Sequence, residues 1–248
     1  MAERILLMTS TINPRKGEPL LKRMDPVQRL DDYKKAMMHN LTFLGKGLDK
    51  IVYVDNSEAD LSELIALCSE HKNKVELISY YGLDYPIAHG RGYGEFKLLD
   101  YAMQNSKLIN AAKESDQILK ITGRYLMINM DKTIERLSNS ELLCNFRNYP
   151  IKWADMFFVV WTKSFYQTWL KDVYLRFKMD ETEVAPEVTF RAYLESLNDK
   201  IEIKKRFNPI PILDAPKGMN NQSYRNFSNQ SKYFFRAIMN RMFPWLWI

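Results

Sequence analysis

Through its first half the chain alternates short apolar runs with amphipathic segments. "RILLMTSTIN" (residues 4–13) is apolar and then ends in small polar side chains, as a buried parallel strand does on leaving a sheet. "KIVYVDNS", "KVELISYYG" and "QILKITGRY" repeat that pattern and predict three more strands. Asp25-Pro26 marks a helix start, an aspartate cap followed by proline in the first turn. Leu30, Tyr33, Ala36, Met37 and Asn40 follow at helical spacing. "ADLSELIALCSEH" predicts a second helix with Leu61, Leu64, Ile65 and Cys68 on one face. A glycine-rich turn, "HGRGYGE", is expected to open a third helix, "FKLLDYAMQNSKLINAAKES". Strands alternating with helices predict an α/β fold, a mostly parallel sheet covered by helices on both faces. Ligands of such sheets sit at the carboxyl ends of the strands. Thr9, Ser10 and Asn13, Asp55 to Ser57, Tyr80 to Gly82, and Thr122 to Tyr125 are therefore the loops expected to carry chemistry.

The second half is looser. "ADMFFVVWTKSFYQTWL" reads as a buried strand running into a helix, and "PEVTFRAYLESL" as a helix with Pro186 in its first turn. "NPIPILDAPKGMNNQSYRNFSNQ" reads as ordered loop, and no linker divides the chain. In the tail, residues 231–248, Phe234, Phe235, Ile238, Met239 and Met242 form one face of a C-terminal amphipathic helix. Lys232, Arg236 and Arg241 are its polar anchors, with Trp245, Leu246, Trp247 and Ile248 beyond. Such a helix suits a lipid interface or docking on the domain.

A composition 46% apolar and 13% aromatic is that of a folded core. Cys68 and Cys144 are too few and too far apart for a zinc site or a disulfide framework. With no apolar run long enough for a secretion signal, a cytoplasmic location is expected. The net charge of +6 falls entirely in residues 201–248, where eight Lys/Arg face Glu202 and Asp214. Its partner there is an anionic surface such as the inner face of a membrane; no nucleic-acid partner is expected.

Charged residues in buried contexts supply the candidate sites. Alternation along "QILKITGRY" puts Lys120, Thr122 and Arg124 on one strand face, where an unpaired cation is costly. They meet internal carboxylates or a bound anion. Asp55 either accepts from a ligand or satisfies loop N–H groups. Arg91, Gly92 and Glu95 lie in the glycine-rich helix start, where free N–H groups attract anions. Asp180, Glu181, Glu183 and Glu187 lead into the Pro186 helix; Glu187, with Asp155 as second candidate, could deprotonate an acceptor hydroxyl. His39, His71 and His89 are isolated, so zinc and nucleophilic hydrolase sites are not supported.

Over residues 4–130 the order of "LLMTSTIN", "IVYVDNSEAD" and "GLDYPIAHGRGYGEFKLLDYA" resembles a GT-A-type glycosyltransferase of bacterial surface polysaccharide (lipopolysaccharide or capsule) synthesis. The resemblance implies a Rossmann-like single domain over 1–230, a nucleotide-binding half at 1–130 and an acceptor-side half at 131–230. It implies a nucleotide-sugar donor and a glycan or lipid-linked acceptor, with Thr9, Ser10, Asn13 and Asp55 near the nucleotide and Gly92 and Glu95 near the sugar. That family usually ends its fourth strand with Asp-x-Asp holding a metal; this chain has Thr122-Gly123-Arg124. Arg124, Lys120 and Arg91 are accordingly expected to neutralise the diphosphate without a metal cofactor, though a divalent ion on Asp155 or the 180–187 acids stays open. The alternatives are a non-catalytic membrane-associated scaffold or a nucleotidyltransferase, whose phosphate loop has only "NPRKG" (residues 13–17) as an echo.

Overall fold

The computed structural model describes residues 2–18, 21–197, 200–214, 227–243 and 246. Strands β1 (Arg4–Ser10), β2 (Lys50–Asp55), β3 (Val75–Ser79) and β4 (Gln117–Thr122) run parallel. β6 (Leu142–Arg147), β7 (Trp153–Thr162) and β8 (Ile203–Lys204) extend the sheet to seven strands in the order β3-β2-β1-β4-β7-β6-β8. β7 is antiparallel to both β4 and β6. β5 (Leu126–Met127) pairs separately with β9 (Leu213–Asp214). The fold is thus α/β with a mostly parallel sheet, as the pattern predicts. β6 escaped the sequence reading because "LLCNFR" places Asn145 and Arg147 in a strand that is nonetheless buried along its length.

Helices cover both faces. One layer holds α1 (Pro26–Leu41), α2 (Ser62–Leu67) and α5 (Met130–Glu135), and packs Tyr33, Met37, Leu64 and Ile134 on Leu6, Met8, Tyr53 and Ile121. The other holds α3 (Gly90–Asn105), α4 (Lys107–Asn110), α6 (Lys163–Phe165) and α8 (Pro186–Glu195), and packs Phe96, Leu99, Ile109, Phe165 and Phe190 on Ile5, Leu7, Val54 and Ile118. α7 (Met179–Thr182) precedes α8, and α9 (Phe227–Met242) follows β9. Asp25 caps α1 as expected, accepting from the Val27 N–H.

Two expectations change. The glycine-rich segment does not form a turn before α3: it is the helix's first turns, beginning at Gly90. β4 stops at Thr122, so Arg124 lies in the turn beyond it and does not continue the strand alternation.

α9 begins at Phe227, ahead of the expected tail boundary. Phe234, Phe235, Ile238 and Met242 are exposed, whereas Tyr233 and Arg236 are half-buried. Arg236 lies close enough to Arg147 and Asp155 to feel their charges, so it is turned inward and is not a solvent-facing anchor. The Lys232 side chain, Trp245, Trp247, Ile248 and most of the loop before α9 lie outside the described residues.

Candidate functional site

From β1 the chain proceeds outward through β2 and β3, then returns to place β4 on the other side of β1. This reversal makes the carboxyl ends of β1 and β4 a topological switch point, outside which open α/β sheets place their ligand crevice. Thr9 and Thr122 are register partners there. Gly123 donates its N–H to the Thr9 carbonyl at 2.8 Å, and a Cβ at Gly123 would lie 2.6 Å from that oxygen. The glycine therefore serves the close approach of the two strand exits, rather than clearing room for a ligand.

Beneath this crevice sits a polar cluster in the α3 layer. Oε1 of Glu95 accepts from the Lys120 ammonium at 2.6 Å and from the hydroxyls of Thr9 and Thr122, each at 3.0 Å. Lys120 is wholly buried and also donates to the Met156 carbonyl and, at 3.4 Å, to the Thr122 hydroxyl. An ammonium has three N–H donors, and these contacts occupy them. Lys120 thus meets an internal carboxylate, which corrects the expectation that it reaches the donor phosphate directly. Burial alone would raise the Glu95 pKa, but the Lys120 charge and the three donated hydrogen bonds outweigh it and hold the carboxyl below its ordinary 4.5. No described group donates to Oε2, and 25% of the Glu95 side chain stays accessible. An ionised acceptor is therefore presented to the crevice from a rigid helix.

Asp55 closes β2 on the opposite face, fully buried. Its Oδ2 accepts from the Ser10 hydroxyl and the Ile12 N–H, its Oδ1 from the Ser57 N–H and hydroxyl. The loop-ordering role weighed for Asp55 is the one its bonds serve, and Ser10 is drawn into it. Their effect is to fix the β1 exit, where Thr11 bonds Asn56 and the Asn13 N–H bonds Ser57, leaving the Asn13 side chain exposed.

Arg124 is 7% exposed at the β4 exit, its guanidinium 5.3 Å from the centre of the Tyr125 ring. Arg91 is exposed on the first turn of α3. A Cβ at Gly92 would lie 2.4 Å from Pro186, so that glycine joins the starts of α3 and α8. Glu187, one residue on, is exposed beside that junction. Asp155 is buried in a two-pronged ion pair with Arg147, whose closest contact is 2.6 Å, and accepts from the Trp153 indole. A carboxylate so engaged is poorly placed to act as a base, which corrects its standing as a candidate. Among the described residues no three His, Cys, Asp or Glu side chains converge, so the 180–187 acids do not form a ligand set. His89 instead bonds Asp180 at 2.7 Å.

Sequence reading missed Arg15. Its guanidinium donates to the carbonyls of Leu83 and Tyr85, lies 4.3 Å from the Tyr85 ring centre, and ties the β1 exit to the loop after β3. Only its place in "NPRKG" could have pointed to it.

Comparison with protein-family models gives no match, and comparison with curated proteins gives none either. Solved structures give matches. A Desulfovibrio desulfuricans G20 protein assigned as a nucleotide-diphospho-sugar transferase is 11% identical with a TM-score of 0.46, over 82% of this chain and 79% of that one. A 4-diphosphocytidyl-2C-methyl-D-erythritol synthase is 11% identical with a TM-score of 0.45, over 96% and 99%. A cytidylyltransferase of Leptospira borgpetersenii serovar Hardjo-bovis is 13% identical with a TM-score of 0.41, over 99% and 96%. Likenesses at these identities and scores carry nothing further; the site's own side chains do.

Proposed function

We propose that this chain is a glycosyltransferase that takes a sugar from a nucleotide-sugar donor at the β1/β4 crevice and passes it, without a metal ion, to a glycan or lipid-linked acceptor. The observation that supports this reading is the Glu95 carboxylate at the switch point. It is held ionised by a buried lysine and presents one oxygen to solvent. Such an acceptor suits a sugar or ribose hydroxyl. The donor diphosphate is assigned to Arg124 and Arg91, whose guanidinium forks suit phosphate oxygens, with Asn13 at the nucleotide. Glu187, beside the α3/α8 junction, is the acceptor-side base. Lys120, Thr9, Thr122, Ser10 and Asp55 are positioning residues. In this reading residues 1–130 bind the donor and 131–230 face the acceptor.

Calorimetry with UDP, GDP and CMP, in Mn²⁺ and in EDTA, tests it. One nucleotide should bind equally well in both, and Arg124→Ala should abolish that binding while the circular dichroism spectrum is kept. The internal pairing of Lys120, Asp55 and Asp155 favours a second reading, a non-catalytic scaffold. Failure of all three nucleotides to bind the wild-type protein would decide for it.

The outward apolar side of α9 supports peripheral contact with an anionic bilayer. No described helix is long and apolar enough to cross a membrane. Phe234→Glu with Phe235→Glu, both at exposed positions, should end co-flotation with phosphatidylglycerol vesicles; undiminished flotation would remove α9 as the contact.

A further inference from the structure

A separate pocket lies on the other face of the sheet from Glu95, between α5 and the β6–β8 edge. Its volume is about 180 Å³, and its polar lining is Thr133, Arg136, Ser138, Lys204, Arg206 and Asn208. Three of these are cations and none is a carboxylate. No hydrogen bond or ion pair to another described residue engages the side chain of Arg136, Lys204 or Arg206. Arg206 is the telling member. It is partly buried, its Nη2 is shielded from water without an acceptor, and that desolvation lowers its pKa. Surface cations commonly go unpaired, but three lining one concavity, one of them desolvated, leave a positive potential that no lining carboxylate answers.

The volume limits the ligand. About 180 Å³ is room for a compact ligand. That is well below the ~300 Å³ at which pockets for drug-sized molecules begin. A whole nucleotide-sugar does not fit, but a tetrahedral oxyanion does, with guanidinium forks for its oxygens and the Ser138 hydroxyl as a further donor.

We propose that the Arg136–Lys204–Arg206 pocket is a binding site for a small phosphate-class oxyanion, inorganic phosphate or the phosphate group of a phosphomonoester. It is independent of the β1/β4 crevice and does not rest on the function proposed there.

The test is calorimetric titration of the full-length protein with inorganic phosphate, at ionic strength held constant with chloride. Wild type should bind, and Arg206→Gln and Arg136→Gln should each weaken binding by about tenfold or more, the scale of one charge-assisted contact. Arg124→Ala should leave phosphate binding intact, and Arg206→Gln should leave any nucleotide binding intact. Arg136 is exposed, so its variant folds even if Arg206→Gln does not. No phosphate binding by the wild type overturns the proposal. So does binding unaffected by Arg136→Gln, or binding lost in Arg124→Ala alone, which would assign the anion to the crevice.

Discussion

Lys120→Met keeps the unbranched stem of the side chain and deletes its charge, isolating what the ammonium does for Glu95. At 2.6 Å the pair's attraction is about 6 kcal/mol for an effective dielectric near 20. Desolvating each ion costs several kcal/mol, so the intact pair contributes little net stability. Removing one partner is different, because the other stays behind uncompensated, typically at a cost of about 3–5 kcal/mol. Glu95 keeps two threonine hydroxyls and 25% of its accessibility, which sets the expected loss near the lower end, about 3 kcal/mol. Glu95→Gln should cost about 2 kcal/mol, by leaving a buried ammonium with only neutral acceptors. The double variant should cost clearly less than the two together, a coupling of about 2 kcal/mol. The dependence on pH follows from sign. Glu95 in the native protein lies below 4.5, so its contribution is fully present above that value and is lost as pH falls through the folded value. In Lys120→Met, burial dominates and the carboxyl rises above 4.5, so its penalty grows as pH rises through that range. The gap between the two proteins should therefore widen from pH 4 to pH 7. Urea denaturation of all four proteins at both pH values measures this. Additive losses, or a Lys120→Met loss under about 1 kcal/mol at pH 7, would refute the pairing.

Three further outcomes are expected. Burial raises the Asp100 carboxyl from 3.8 to about 6, against the hydrogen bonds from Tyr166 and the Asp172 N–H. The folded state then binds the extra proton, so stability should fall by on the order of 2–3 kcal/mol as pH rises through that window. Asp100→Asn should flatten this part of a urea-midpoint profile, and a profile unchanged by the substitution would count against it. Gly123→Ala drives a methyl against the Thr9 backbone and should lower stability by about 2–3 kcal/mol, read as a fall in thermal midpoint; an unchanged midpoint would mean that the strand exits can part freely. Asp155→Asn leaves the buried Arg147 guanidinium without its carboxylate and should cost about 3 kcal/mol. If transfer activity is present, it should follow the folded fraction; selective loss of activity in a fully folded variant would restore Asp155 as a catalytic group.

The parallel half of the fold was legible because its strands are short, β-branched or aliphatic, and closed by small polar residues. "KIVYVD" and "RILLMTS" leave little choice, and Asp25-Pro26 announces a helix through capping chemistry. The antiparallel half was harder. β6 interrupts its apolar residues with Asn145 and Arg147, and each is satisfied by a remote partner: the Phe207 N–H for Asn145, Asp155 for Arg147. Nothing local in "LLCNFR" reveals those partners. Similarly, Gly92 is expected near the sugar because a missing side chain looks the same whether the neighbour is a substrate or, as here, the Pro186 ring.

The pairing of Lys120, by contrast, could have been argued further from the sequence. Period-two alternation places Lys120 on the same strand face as Ile118, which packs in the α3 layer. On α3, Leu98, Leu99 and Ala102 stand three, four and seven residues beyond Glu95, and all three are buried. A glutamate on the apolar stripe of a helix and a lysine on the apolar face of a strand are each costly alone. When the two elements are adjacent layers of one α/β unit, the arrangement that removes both costs is that they meet. The same reasoning separates Lys120 from Arg124. The lysine lies inside the strand, where a partner must come from a packed helix, whereas the arginine lies past Thr122, where the chain has left the sheet and the crevice begins. Gly123, bonded to Thr9, marks that line: Lys120 before it pairs with Glu95, and Arg124 after it lies beyond the strand.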